Sequence, residues 1–202
     1  KLFILCNPHN PGGVVWQEEE LQEVARICHD EGVLVFSDEI HADLTLPPYR
    51  HRPFAMISEE ARMNSVTFMS PSKAFNMPGL SASHAIIPNP ELRARFRKFM
   101  DACELDLGHA FAFLAVEAAY SNGTEWLEQC LAYIQGNVDY MDEYLKANAP
   151  KIKVVRPQAS YLVWLDCREM GMTQEDLNRF FVEKARLALN DGAMFGKEGE
   201  GF

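Results

Sequence analysis

At 202 residues the chain is long enough to bury a sizeable core in one or two domains, and 29 acidic against 19 basic residues give it a formal charge of −10. That balance argues against nonspecific nucleic-acid binding, which runs on clustered positive charge, and no apolar stretch approaches the roughly 18–20 residues of a membrane span or the form of a signal peptide. Cys6, Cys28, Cys103, Cys130 and Cys167 are odd in number and lack a Cys-x-x-Cys pair, so they read as reduced core residues of a cytoplasmic protein, not as a disulfide framework or a metal site.

The apolar run Leu2 to Cys6 reads as a buried strand, followed by the turn Asn7-Pro8-His9-Asn10-Pro11-Gly12-Gly13. A helix is predicted near Gln17 to Glu31, with Leu21, Val24, Ala25 and Cys28 at helical spacing and Gly32 as its stop. Val33 to Ser37 reads as a second buried strand, with Asp38 at its end. After a polar connection containing Pro47-Pro48, a strand near Ser65 to Met69 runs into Ser70-Pro71-Ser72-Lys73-Ala74-Phe75-Asn76. Ala82 to Ile87 gives one more strand before Pro88-Asn89-Pro90 opens a helix. From Glu91 to about Ala149 the pattern is almost wholly helical. The stripes Phe96, Phe99, Met100, Cys103 and Phe111, Leu114, Ala115, Ala118 are expected to pack in the core. Ile152 to Val155 and Tyr161 to Leu165 read as paired strands, and Thr173-Gln174-Glu175-Asp176 starts a helix with capping-box-like spacing.

Strands alternating with helices over the first half predict an α/β fold with a parallel-rich sheet. The later switch predicts a smaller α+β domain beginning between about Glu125 and Pro150, so the chain divides into 1–124 and 125–202. Lys1 opens directly onto a strand and Phe202 follows no closing element, so the chain reads as an internal fragment holding part of each domain.

Lys73 carries the chemistry. A lysine delivered from a buried strand into a small, hydroxyl-rich turn loses hydration, which makes its amine a candidate Schiff-base nucleophile. Ser70 and Ser72 are placed to donate to an anionic group beside that amine. Pyridoxal 5′-phosphate has both a carbonyl and a phosphate. It also needs a carboxylate against its ring nitrogen, and Asp38, at the carboxyl end of a parallel strand, supplies one. Asn10 offers an amide to a ring oxygen.

These three strand-end segments, Asn-Pro-His-Asn-Pro-Gly-Gly, Ser-Asp-Glu-Ile-His and Ser-Pro-Ser-Lys-Ala-Phe-Asn, resemble those of the fold-type I pyridoxal-phosphate enzymes, the class I and II aminotransferase superfamily. Within it the chain looks most like the MalY and PatB branch of carbon-sulfur lyases, such as cystathionine β-lyase. The resemblance implies a transferase-like fold, Lys73 as the covalent cofactor lysine, Asp38 at the pyridine nitrogen, Asn10 at the ring oxygen, and Ser70 and Ser72 at the phosphate, Ser70 foremost. His41 stands three residues after Asp38, where many aminotransferases have a tyrosine at the ring oxygen, and it points to the lyase branch. Ser81 stands where many have a phosphate-binding arginine. The implied activity is β-elimination from a sulfur amino acid by a homodimer, with transamination as the alternative. The remaining phosphate donors, a ring-stacking aromatic and a substrate-binding arginine are expected outside this chain. Two other readings compete: Asp38-Glu39 after an apolar run resembles the magnesium-binding acidic pair of P-loop ATPases, although no Gly-x-x-x-x-Gly-Lys-Ser/Thr is present, and a degenerate relative would keep the fold without the chemistry.

Overall fold

The structure, a computed structural model, describes residues 1–105 and 108–202. Strands β1 (Leu2–Cys6), β2 (Leu34–Asp38) and β3 (Ser65–Met69) pair in parallel, and β4 (His84–Ile86) closes the edge antiparallel to β3. The register sets Phe3 beside Val35, Leu5 beside Ser37 and Cys6 beside Asp38. This is the parallel-rich α/β sheet expected of the pattern.

Strand alternation decides which side chains meet. Leu5 and Val35 point to one face, which α1 (Glu18–Asp30) and α2 (Glu59–Met63) cover, and there Leu21, Ala25, Cys28, Phe54 and Ala61 complete a buried cluster. Trp16, Val24, Val33 and Ile57 pack around its margin. Leu21, Ala25 and Cys28 recur at i, i+4 and i+7, so one stripe of α1 is buried while its acidic first turn, Glu18 to Glu20, faces the partial positive charge of the helix start. Glu20 also accepts from the Gln17 backbone N–H at 2.8 Å, satisfying a donor at that end.

The carboxyl end of β3 passes directly into α3 (Pro71–Ala74), whose N-cap is Ser70 and whose first residue is a proline with φ already helical. After β4 come α4 (Pro90–Ala102), α5 (Ala110–Asn122) and the 25-residue α6 (Thr124–Asn148). A two-stranded antiparallel ribbon follows, β5 (Lys153–Val155) with β6 (Trp164–Asp166), then α7 (Gln174–Arg179) running on as a π-helical turn through Ala185. Thr173 caps α7 as expected, accepting from the Asp176 N–H at 3.2 Å. No helix among the described residues is long and apolar enough to cross a membrane.

The helical stripes behave differently from expectation. Phe99, Phe111 and Leu114 are 63, 69 and 63 % exposed, Cys103 is exposed, and in α5 only Ala112 is buried. The cause is layering. A parallel sheet buries residues on both faces only when both carry helices. Here the compact cluster lies under α1 and α2, whereas on the opposite face Ile4 stays 68 % exposed and Phe68 meets Phe96 of α4 at 6.3 Å.

Leu21 tests the main cluster, because it is fully buried and alanine keeps helix propensity intact. Leu21→Ala is expected to lower the unfolding free energy by about 2–5 kcal/mol, read by urea denaturation. A loss below about 1 kcal/mol would show that this cluster is not tightly packed.

Candidate active site

Three strand ends and one later segment converge at the carboxyl edge of the sheet. Asn7 ties the first two, its backbone N–H donating to the Asp38 carbonyl at 3.0 Å while its buried side-chain oxygen accepts from the Trp16 N–H at 3.1 Å. The turn beyond it closes through His9 N–H to the Val14 carbonyl at 2.7 Å and Gly13 N–H to the His9 carbonyl at 2.7 Å. Gly13 has φ of +67°, and a Cβ there would stand 2.7 Å from the Cβ of Pro157. Only glycine allows both the turn and that approach. Its carbonyl accepts from the N–H groups of Gln158 and Ala159.

The same 157–160 segment grips the loop after β2. Leu46 N–H donates to the Gln158 carbonyl and Ser160 N–H to the Leu44 carbonyl, both at 2.9 Å, while the Gln158 side chain accepts from Val15 N–H at 2.7 Å. These contacts bring Tyr161 within 6.0 Å, ring to ring, of His41. Tyr161 and Asn10 both line a cavity of about 630 Å³ walled by Trp164, Leu177, Phe181 and Phe195.

His41 joins the expected site residues. It is 2 % exposed, and neither ring nitrogen has a hydrogen-bond partner among the described residues. Burial pushes its pKa below the ordinary histidine value, the nearby Lys73 ammonium pushes it further down, and Asp38 pulls the other way. His41 therefore lies within electrostatic reach of both Lys73 and Asp38, and it is neutral at physiological pH. Cys6 links Asp38 to the first turn: burial raises its thiol pKa most, the Asn10 backbone N–H opposes this, and the Asp38 charge adds to it. Asp38 accepts from the Ile40 N–H at 3.2 Å, and Lys73 is half-buried on the single turn of α3.

The serines are more occupied than their motif suggests. Ser70 is buried, and its oxygen approaches the Ala82 carbonyl at 2.5 Å, Ser72 Oγ at 2.8 Å and Ser72 N–H at 3.1 Å. A hydroxyl has one proton, so Ser70 donates to Ala82 while accepting from both Ser72 groups. To donate to a phosphate, Ser70 must release that carbonyl. Ser81 is exposed, with φ of 49°.

Several groups here were not expected from the motifs. Glu39 is fully buried, accepting from Ser37 Oγ at 2.8 Å and Phe54 N–H at 2.9 Å and pairing with His51 at 2.7 Å. This arrangement is unlike a magnesium-binding acidic pair, because Glu39 already holds three protein donors on the core side of the strand. Asp43 and Tyr120 of α5 influence one another: burial pushes the Asp43 carboxyl up, and burial first, then the Asp43 charge, raises the Tyr120 pKa to about 12. The one signal for Glu39 was an acid directly following a strand-end acid. The contacts of Asp43, His51 and Tyr120 span distances that spacing does not encode.

The chain matches the family described as Aminotransferase class I and II over residues 1–201. It is 43 % identical over 201 residues to cystathionine beta-lyase PatB of Bacillus subtilis, covering 100 % of this chain and 52 % of PatB. Protein MalY of Escherichia coli is 34 % identical over 203 residues, covering 100 % of this chain and 51 % of MalY. The crystal structure of cystalysin from Treponema denticola, which contains pyridoxal 5′-phosphate, superposes with a TM-score of 0.93 at 35 % identity, over 100 % of this chain and 51 % of that one. The chain thus spans about half the length of the curated relatives it matches.

His41 yields a pH test. Its folded pKa lies below its unfolded value, so as pH falls the unfolded chain takes up the proton first. The stability tied to a neutral His41 is complete above about pH 6.5 and is lost as acid is added. Urea unfolding from pH 8 to 5 is expected to show a steeper acid-side decline for the wild type than for His41→Gln. Parallel declines would remove the depressed His41 from the description.

Proposed function

We propose, since this chain belongs to the class I and II aminotransferase family, that the whole protein is a pyridoxal 5′-phosphate enzyme cleaving a carbon-sulfur bond of an amino acid by β-elimination. The observation that carries this reading is the convergence of Lys73, Asp38 and a neutral, buried His41 at the carboxyl edge of parallel strands. The greater likeness to relatives named cystathionine β-lyase than to those named aminotransferase favours elimination over transamination.

The residues fit the cofactor in chemistry. His41 has two buried nitrogens without a hydrogen-bond partner among the described residues, Asp38 offers a carboxylate at a strand end, and Lys73 offers an amine near them. In this reading Lys73 would hold the cofactor covalently, Asp38 would keep a proton on its ring nitrogen, Asn10 and His41 would serve its ring oxygen, and Ser70 and Ser72 would serve its phosphate. When bound, the cofactor supplies the sink for the electron pair left at the substrate Cα. Lys73, with its amine free, would be the general base that takes the substrate Cα proton. His41, kept on the neutral side by burial, would serve as a hydrogen-bond partner and not as a second cation beside Lys73.

The products of such a cycle on cystathionine are a thiol, pyruvate and ammonia. We read the whole protein as a cytoplasmic homodimer acting on a small amino acid. The exposed Phe111, Phe113 and Leu114 of α5 support the dimer, and cysteines free of disulfides support the compartment.

Borohydride reduction of the cofactor-loaded protein followed by peptide mapping is expected to label Lys73. Cystathionine alone is expected to yield pyruvate without a keto-acid acceptor, and Lys73→Ala is expected to lower that rate by at least about 10²–10⁴-fold. Label on another lysine would overturn the assignment, and strict dependence on an acceptor would make the enzyme a transaminase.

A further inference from the structure

Asp38 and Glu39 are consecutive, yet they do opposite things. Asp38 lies on the sheet face that carries Phe36 of β2 and Cys6 of β1, at the edge where His41 and Lys73 gather. Glu39 turns the other way, toward Ser37 and Phe54 and the α1/α2 core, with its side chain 0 % exposed. A carboxylate there costs several kcal/mol unless it is fully paired, so its partners define what it does. One oxygen accepts from Ser37 Oγ and Phe54 N–H, and the other meets His51 Nε2, whose side chain is 8 % exposed. A carboxylate only accepts, so the proton of this contact belongs to His51.

Those partners bracket the site loop. Residues 42–54 leave the end of β2, make short turns at Ala42–Leu44 and Phe54–Met56, and return beneath the strand. The Glu39 backbone is fixed as well, its N–H donating to the Phe68 carbonyl of β3 at 2.9 Å and its carbonyl accepting from Ala42 at 2.9 Å. One residue therefore joins β2, β3, the start of the loop and its far end. Asp38 precedes it directly, and His41 lies two residues on. Buried ion pairs contribute little net stability compared with apolar packing, so stability alone does not account for a carboxylate at this place.

We propose that Glu39, latched by His51, is a positioning residue that fixes the loop 41–54 and thereby the orientation of Asp38 and His41 toward the cofactor. The inference rests on the reading that these two residues face pyridoxal 5′-phosphate. The loop latch itself does not need the cofactor, and this separates the two claims experimentally.

The test compares Glu39→Ala, His51→Asn and Glu39→Gln, with Leu21→Ala as a core-destabilised control. Hydrogen exchange of the apoprotein, followed by mass spectrometry, reads the latch. Titration of apoprotein with pyridoxal 5′-phosphate reads affinity, and the pH dependence of the bound cofactor's visible absorption reads the position of Asp38 and His41. Glu39→Ala and His51→Asn are expected to speed exchange within 41–54, weaken cofactor binding by about ten-fold or more, and move the pH midpoint of the absorption change. Leu21→Ala is expected to lower the melting temperature without moving that midpoint. Glu39→Gln retains an oxygen for Ser37 and Phe54 and can donate its amide N–H to His51 Nε2 once the imidazole proton shifts to Nδ1, so it should keep most of the loop protection. Should Glu39→Ala not fold, His51→Asn and Glu39→Gln carry the comparison. Unchanged exchange within 41–54, or an unmoved midpoint with affinity lowered no more than in Leu21→Ala, would overturn the proposal. A wild type that binds no cofactor would overturn the functional reading, while the exchange pattern would still decide the latch.

Discussion

The two-residue period of β2 is the constraint on which both the core and the site depend. Because successive side chains alternate, Val35 and Ser37 enter the layer beneath α1, while Phe36 and Asp38 point to the other face. A slip of one residue would drive Asp38 into the apolar cluster and bring Glu39 out. Pairing on both sides, to β1 through Leu2 to Cys6 and to β3 through Ser65 to Phe68, holds the register. The burial of Leu5 and Val35 and the direction of the Asp38 carboxylate are thus one structural fact.

A second constraint acts across the chain. The segment Pro157 to Ser160 meets the first turn at Gly13 and Val15 and the β2 loop at Leu44 and Leu46. Each of these hydrogen bonds contributes about 0.5–1.5 kcal/mol net, close to what ordering a single residue costs. No one bond could hold two loops in place. Four main-chain bonds and one side-chain bond on a four-residue stretch can, because ordering that short stretch serves both loops. Tyr161, the next residue, then reaches His41 and the apolar cavity together.

The strands and the site differ in how far they could be read from sequence. β1 to β3 were legible to within a residue because continuous apolar runs bounded by turn residues have few alternatives. Lys73, Asp38 and Asn10 were legible as motifs at strand ends, where the topology of a parallel sheet gathers ligands. The orphaned nitrogens of His41 were not legible, since they depend on what fails to surround the ring. Nor was the occupied state of Ser70, whose partner Ala82 lies twelve residues on. The stripes of α4 and α5 misled for a different reason. Helical periodicity shows that a face is apolar, but not what covers it, and in α5 apolar residues occur on every side.

The histidine at position 41 follows the same logic of burial. A tyrosine there would offer a single O–H, with its charge confined to the anionic form. Histidine offers a donor and an acceptor on opposite sides of one ring, and its only charged form is a cation. Lys73 already supplies a cation nearby, and Asp38 supplies the balancing anion, so a protonated His41 would leave two positive charges against one negative in a water-poor edge of the sheet. Burial is the largest influence on His41 and Lys73 the second. It follows that if Lys73 gave up its charge, for instance to a covalent bond, burial would still disfavour the imidazolium. Burial thus holds the ring on the neutral side whatever the charge on its neighbour.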